Sequence, residues 1–87
     1  MFYVYVLQSK QDNSLYVGYT NDLKRRLKEH NEKQNLSTKS RAPFKLVYYE
    51  AYTSQRNAKD RESSLKLRGR ARAQLLKRIN DCVARPK

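Results

Sequence analysis

With 87 residues, 38% of them hydrophobic, the chain has material for one modest core, and the clear periods of its apolar stretches exclude a disordered basic tail. Lysine and arginine number 20 against 8 aspartates and glutamates, a net charge of +12 that favours a polyanionic partner, nucleic acid ahead of an anionic membrane surface. Cys82 is the single cysteine, so there is no internal disulfide and, with one histidine, no Cys/His zinc cluster; the longest wholly apolar run, Phe2 to Leu7, is too short for a membrane span or signal-peptide core, and the chain is expected to stay in the cytoplasm.

In chain order, FYVYVL at 2–7 is β-branched and aromatic on both faces, the pattern of a strand covered on both sides. SKQDNS at 9–14 is turn chemistry and LYVG at 15–18 returns as a second strand, giving a hairpin. Thr20 or Asn21 then caps a helix running to about Gln34, followed by a polar, basic loop, NLSTKSRAP, closed by Pro43. FKLVYYEAY at 44–52 reads as a third strand, Thr53 or Ser54 caps a second helix to about Arg68, Gly69 breaks it, and 71–81 form a third helix ending beside Cys82. The expected architecture is α+β, a small three-stranded, largely antiparallel sheet flanked by three helices, in one domain over 1–87 with its core at about 2–80 and a short basic tail at 84–87 that frays.

Two helices carry polar groups where apolar ones belong. At about 100° per residue, with Leu23 as zero, Leu27 falls near 40°, Arg26 near 300° and His30 near 340°, all on one stripe, while Lys24, Arg25, Lys28 and Glu29 point toward solvent. On the second helix, with Ala58 as zero, Leu65 lies near 340°, Arg61 near 300° and Glu62 near 40°. Burying such groups is costly unless they are paired or bind a ligand, so the two helices suggest a shared polar site. Singly, each residue has an ordinary reading: Arg26 laying its stem along a helix edge, Glu62 pairing with Arg61 or Lys66, Tyr5 and Tyr16 as strand core, Gly18 as a turn residue.

The conjunction of YVY at 3–5, YVG at 16–18, Arg26 eight residues after Gly18, His30 four further on, and AKDRE at 58–62 resembles the GIY-YIG nuclease superfamily, in particular its small single-domain members, and is similar to the nuclease domain of the bacterial excision-repair endonuclease C subunit. The resemblance covers roughly 2–80. It implies that Tyr5 and Tyr16 line the scissile phosphate and help activate the attacking water, that Arg26 neutralises the phosphate, that His30 assists proton transfer, that Glu62 holds one divalent metal, magnesium or manganese, and that Gly18 lets the backbone pass close to the site. Two positions depart from the pattern: Tyr3 stands where the family name has glycine, and the asparagine expected about a dozen residues after the metal glutamate is represented only by Gln74, at that distance, or by Asn80, farther along.

Phosphodiester hydrolysis needs an activated water, stabilisation of the phosphoryl charge and help for the leaving oxygen. A tyrosine, with a reference pKa of about 10, is a poor base unless cations stabilise its phenolate, and an arginine fork fits phosphate better than a lysine. The implied function is a metal-dependent DNA endonuclease, selecting substrates by structure and acting in repair or recombination; the alternative is a small non-catalytic protein that binds DNA or RNA through the same basic face. Lys24, Arg25 and Lys28 on the first helix and Lys39 and Arg41 in the loop are expected to supply phosphate contacts. DNA is favoured over RNA, a partner protein could add targeting, and the oligomeric state is left open.

Overall fold

The computed structural model describes residues 1–34, 38–67 and 69–83. Strands β1 (Phe2–Ser9) and β2 (Leu15–Thr20) form an antiparallel hairpin, α1 (Leu23–Asn31) follows, a 3-10 turn spans Lys39–Arg41, and β3 (Phe44–Tyr52), α2 (Gln55–Lys66) and α3 (Arg70–Arg78) complete the chain. The sheet order is β2-β1-β3, antiparallel throughout, so the aromatic and β-branched first strand is the central one and is covered on both faces as its composition predicts. The hairpin turn is closed by Asn13 at φ 61, a left-handed conformation that asparagine tolerates better than most residues.

Strand alternation sorts the core into two layers. Val4, Val6 and Val17 point to one face, where they pack with Ala58 and Leu65 of α2 and Leu75 of α3, together with Ile79. Tyr5 and Leu7 point to the other, where they meet Leu23 and Leu27 of α1, with Phe44 and Leu46 of β3. The two helices that carry inward polar groups therefore lie on opposite faces of the sheet, not side by side.

Helix boundaries differ from the sequence expectation for identifiable reasons. The N-cap of α1 is Asp22, whose carboxylate accepts the Arg25 N–H at 3.1 Å, whereas the Thr20 hydroxyl is engaged with the Asp22 backbone. The helix stops at Asn31, before Gln34, because Lys33 turns left-handed at φ 62 and the N–H groups of Lys33 and Gln34 close back on His30 and Glu29, a Schellman closure. Ser54 caps α2 by accepting the Asn57 N–H at 3.2 Å. Helix α2 ends at Lys66 because Leu67 is extended, and α3 starts at Arg70 after Gly69 and stops at Arg78, short of Asp81. The expected end at Arg68 and the tail at 84–87 lie outside the described residues. Among the described residues no helix is long and apolar enough to cross a membrane.

On the α2 face, Glu50 of β3 is the focus of a polar cluster. Arg61 clamps it with Nε at 3.0 Å and Nη2 at 3.0 Å, Tyr48 donates its hydroxyl at 2.5 Å, and Tyr52 donates a second. Burial by itself would raise the Glu50 pKa, but these donors outweigh it and hold the carboxyl below its ordinary value. The inward position of Arg61 is thus explained by an ion pair tying α2 to the edge strand β3.

Candidate active site

The site is built around Tyr5. Tyr5 faces Gly18 across the β1–β2 ladder, and its ring crosses the strand so closely that a Cβ on residue 18 would lie 2.3 Å from both Cζ and the hydroxyl oxygen. Only glycine permits this path, so the expectation that Gly18 allows a close approach has a concrete form, in which the approaching group is the Tyr5 side chain. Tyr5 is 1% exposed, and its hydroxyl meets Nε2 of His30 at 3.0 Å. The ring of His30 stands edge-on between Tyr16, at a centroid distance of 5.1 Å, and Phe44, at 5.9 Å. Its other nitrogen, Nδ1, is 2.7 Å from the Thr38 hydroxyl.

These contacts fix the protons. Burial, chiefly, and the neighbouring Tyr16 push the Tyr5 pKa up to about 12, against the opposing pull of Arg26, so the phenol is protonated at neutral pH. Burial and the Arg26 charge push the His30 pKa down, so the imidazole is neutral. Arg26 has no acceptor atom, and the neutral tautomer with Nε2 unprotonated gives the phenol proton an acceptor while its Nδ1–H donates to Thr38. Thr38, Tyr5 and His30 form a buried chain from loop to central strand. Thr38 went unrecognised in the sequence because a threonine in a polar loop carries no periodic signal.

Arg26 borders the same phenol. The Arg26 side chain is 41% exposed, its Nη1 lies 3.4 Å from Glu29, and its Nε is buried with no hydrogen-bond partner. Glu29 is therefore not turned fully to solvent as the helical wheel suggests, but pairs with the arginine. Glu62 lies near enough for its charge to raise the Tyr5 pKa, although α2 packs on the opposite face, against β1 and β2. Its side chain is 21% exposed and pairs with Lys66 at 3.1 Å, the partner foreseen in the ordinary reading; Arg61 is held by Glu50. The structure thus brings Tyr5, Tyr16 and His30 into contact beside Gly18, with Arg26 a polar neighbour of the Tyr5 hydroxyl, while the Glu62 carboxylate is engaged by Lys66.

Residues 1–80 match the GIY-YIG catalytic domain. The chain belongs to the GIY-YIG family. It is 46% identical over 67 residues to a UPF0213 protein of Clostridium perfringens, covering 76% of this chain and 71% of that one. It is 39% identical over 75 residues to a UPF0213 protein of Haloquadratum walsbyi, covering 85% and 83%. The solution NMR structure of a UPF0213 protein from Bacillus halodurans is similar at a TM-score of 0.53 and 38% identity, over 87% of this chain and 82% of that one. The GIY-YIG family is a nuclease family, and its domain implies a nucleic acid substrate.

The two candidates for the later GIY-YIG asparagine lie elsewhere. Gln74 lines a cleft with Tyr48, Arg61 and Arg78, and Asn80 lines a groove with Leu15, Leu76 and Val83; neither setting shares a residue with the Tyr5 cluster. Among the described residues no three His, Cys, Asp or Glu side chains gather as a metal cage. A carboxylate such as Glu62 is an oxygen donor that fits a hard, hydrated cation completed by water and substrate oxygens. Lys24, Arg25, Lys28, Lys39 and Arg41 are exposed, with Lys28 3.9 Å from Glu32 and Arg41 3.9 Å from Asp12, separations at which surface pairs leave the charge available to a phosphate.

Proposed function

We propose that the chain is a divalent-metal-dependent endonuclease that hydrolyses DNA phosphodiester bonds, chooses its substrate by structure more than by base sequence, and serves DNA repair or recombination. The observation that carries this reading is the buried Tyr5 phenol, packed on Gly18, bonded to His30 and bordered by the Arg26 guanidinium. Arg26 is the phosphate clamp: its outer nitrogens face solvent beside Glu29, and an incoming phosphate offers the guanidinium a stronger bidentate partner. Tyr16, half-buried and edge-on to His30, is the phenol with access to an attacking water. Tyr5 remains protonated and acts as a donor; His30, which is fully buried, reaches the reaction only through Tyr5 and holds its hydroxyl in place. Magnesium or manganese would be held by Glu62 and, when bound, supplies positive charge to the phosphate and to the leaving oxygen.

A second reading, a non-catalytic DNA- or RNA-binding protein, is favoured by the Glu62–Lys66 ion pair, which engages the carboxylate expected to hold the metal. Nicking of labelled DNA with and without magnesium or manganese separates the two. The nuclease reading predicts cutting that requires the metal and is lost in Glu62→Ala. Salt-sensitive binding with no cutting under any metal supports the second reading.

A further inference from the structure

Helix α1 covers its face of the sheet unevenly. Tyr49 sits directly opposite Tyr5 in the β1–β3 ladder, yet it is 52% exposed while Tyr5 is 1% exposed. Tyr3 stands against it edge-on, with ring centroids 6.1 Å apart and planes at 62°. Between this aromatic pair and the first turn of α1 runs a groove of about 480 Å³, walled by Leu23 and Leu46 and rimmed by Asn21 and Lys24. The Asp22 carboxylate on the rim is committed to capping Arg25.

We propose that this groove binds an unpaired nucleobase of the strand whose phosphate lies at Tyr5; the proposal rests on the nucleic-acid reading above and adds a substrate class to it. The chemistry matches on three counts. Exposed aromatic rings on a sheet face are the stacking surface that single-stranded nucleic acids use, because every base has a π-face. The Asn21 amide offers both a donor and an acceptor for a base edge, and Lys24 places a cation where the sugar-phosphate chain enters. A chain of net charge +12 also selects against a cationic occupant and favours a polyanionic one. Continuity with the candidate active site sets the position: Tyr3 and Tyr5 are two residues apart on one face of β1, about 6.6 Å along the strand. A base seated on the Tyr3–Tyr49 pair, in the groove beside α1, therefore belongs to a nucleotide next to the scissile phosphate. Bases locked in a duplex cannot enter, which gives a physical origin for preference toward flaps, junctions and single strands. Tyr3, which replaces the glycine of the family motif, supplies one wall of the groove.

The test is binding, in EDTA so that nothing is cut, of an end-labelled oligothymidylate and of an abasic sugar-phosphate chain of equal length to wild type, Tyr49→Ala and Tyr49→Phe. The expected result is tighter binding of the base-bearing strand by wild type, a loss of about 5- to 100-fold on that strand alone in Tyr49→Ala, and recovery in Tyr49→Phe. Equal affinity of wild type and Tyr49→Ala for the oligothymidylate overturns the groove, as does an equal loss on the abasic chain. A wild-type dimer that Tyr49→Ala dissociates also overturns it, making the occupant a second copy of the chain. Failure of folded wild type to bind either strand or plain duplex overturns the nucleic-acid reading itself, a result distinct from failure of the groove alone.

Discussion

Replacing Gly18 with alanine tests the geometry on which the candidate site depends. The added Cβ would sit 2.3 Å from Cζ and the hydroxyl oxygen of Tyr5 and 2.7 Å from Cε2. Non-bonded carbons sit comfortably at about 3.5–4.0 Å, so the ring has to retreat by about 1 Å or more. It has little room, being 1% exposed and held by His30 at 3.0 Å. Overpacking costs about 1–3 kcal/mol and stranding a buried hydrogen-bonding group about 1–3 kcal/mol, so a combined loss of about 2–6 kcal/mol is expected. At about 4–8 °C per kcal/mol for a domain of this size, Tm falls by about 10 °C or more. Thermal and urea unfolding followed by circular dichroism measure the loss, and the same substitution in a Tyr5→Val background, where the ring is gone, should cost clearly less. A Gly18→Ala protein with wild-type Tm, or one whose loss is identical in both backgrounds, would refute the close packing of Tyr5 on Gly18.

Thr38→Val removes the acceptor of the His30 Nδ1–H and should destabilise by about 1–3 kcal/mol in urea unfolding, with Thr38→Ser close to wild type; imidazole nitrogen shifts should show the tautomer preference weakening in the valine variant only. Because the folded-state pKa of His30 is depressed, the unfolded chain takes up its proton first as pH falls, so stability is full above pH 6.5 and declines below it. His30→Gln should flatten that decline, and a wild-type urea midpoint constant from pH 7.5 to 5.5 would contradict it. Changing Lys24, Arg25 and Lys28 together to glutamine should reduce the salt slope of duplex binding by up to about 2.7, at about 0.9 for each phosphate no longer neutralised; an unchanged slope places the footprint elsewhere.

The architecture was legible because the period of each segment is unambiguous: apolar side chains on both faces of 2–7 belong to a central strand, and the leucines of α1 leave one stripe to face the sheet. Which cap side chain starts a helix was less legible, since Thr20, Asn21 and Asp22 all qualify and only Asp22 is positioned to accept the Arg25 N–H. A helical wheel places Arg61 and Glu62 on the apolar side but cannot show what lies opposite. Arg61 meets Glu50, eleven positions earlier in sequence and on another element, while Glu62 pairs with Lys66 one turn along the same helix. Thr38 and the exposed ring of Tyr49 needed the packed structure, because their meaning lies in what neighbours them across the sheet and loop.

The central claim, that the Tyr5 cluster acts on a phosphodiester and Arg26 is its clamp, is tested most directly by single-turnover cleavage of labelled flap and branched DNA by Arg26→Ala beside Arg25→Ala, with magnesium or manganese present. Arg25 is the adjacent, exposed arginine of α1 and serves as a charge-matched control. The expected result is that folded Arg26→Ala does not cut, even at protein concentrations that saturate binding, while Arg25→Ala cuts at close to the wild-type rate once bound. Equal cleavage rates for the two bound variants would contradict the assignment of this cluster as the active site.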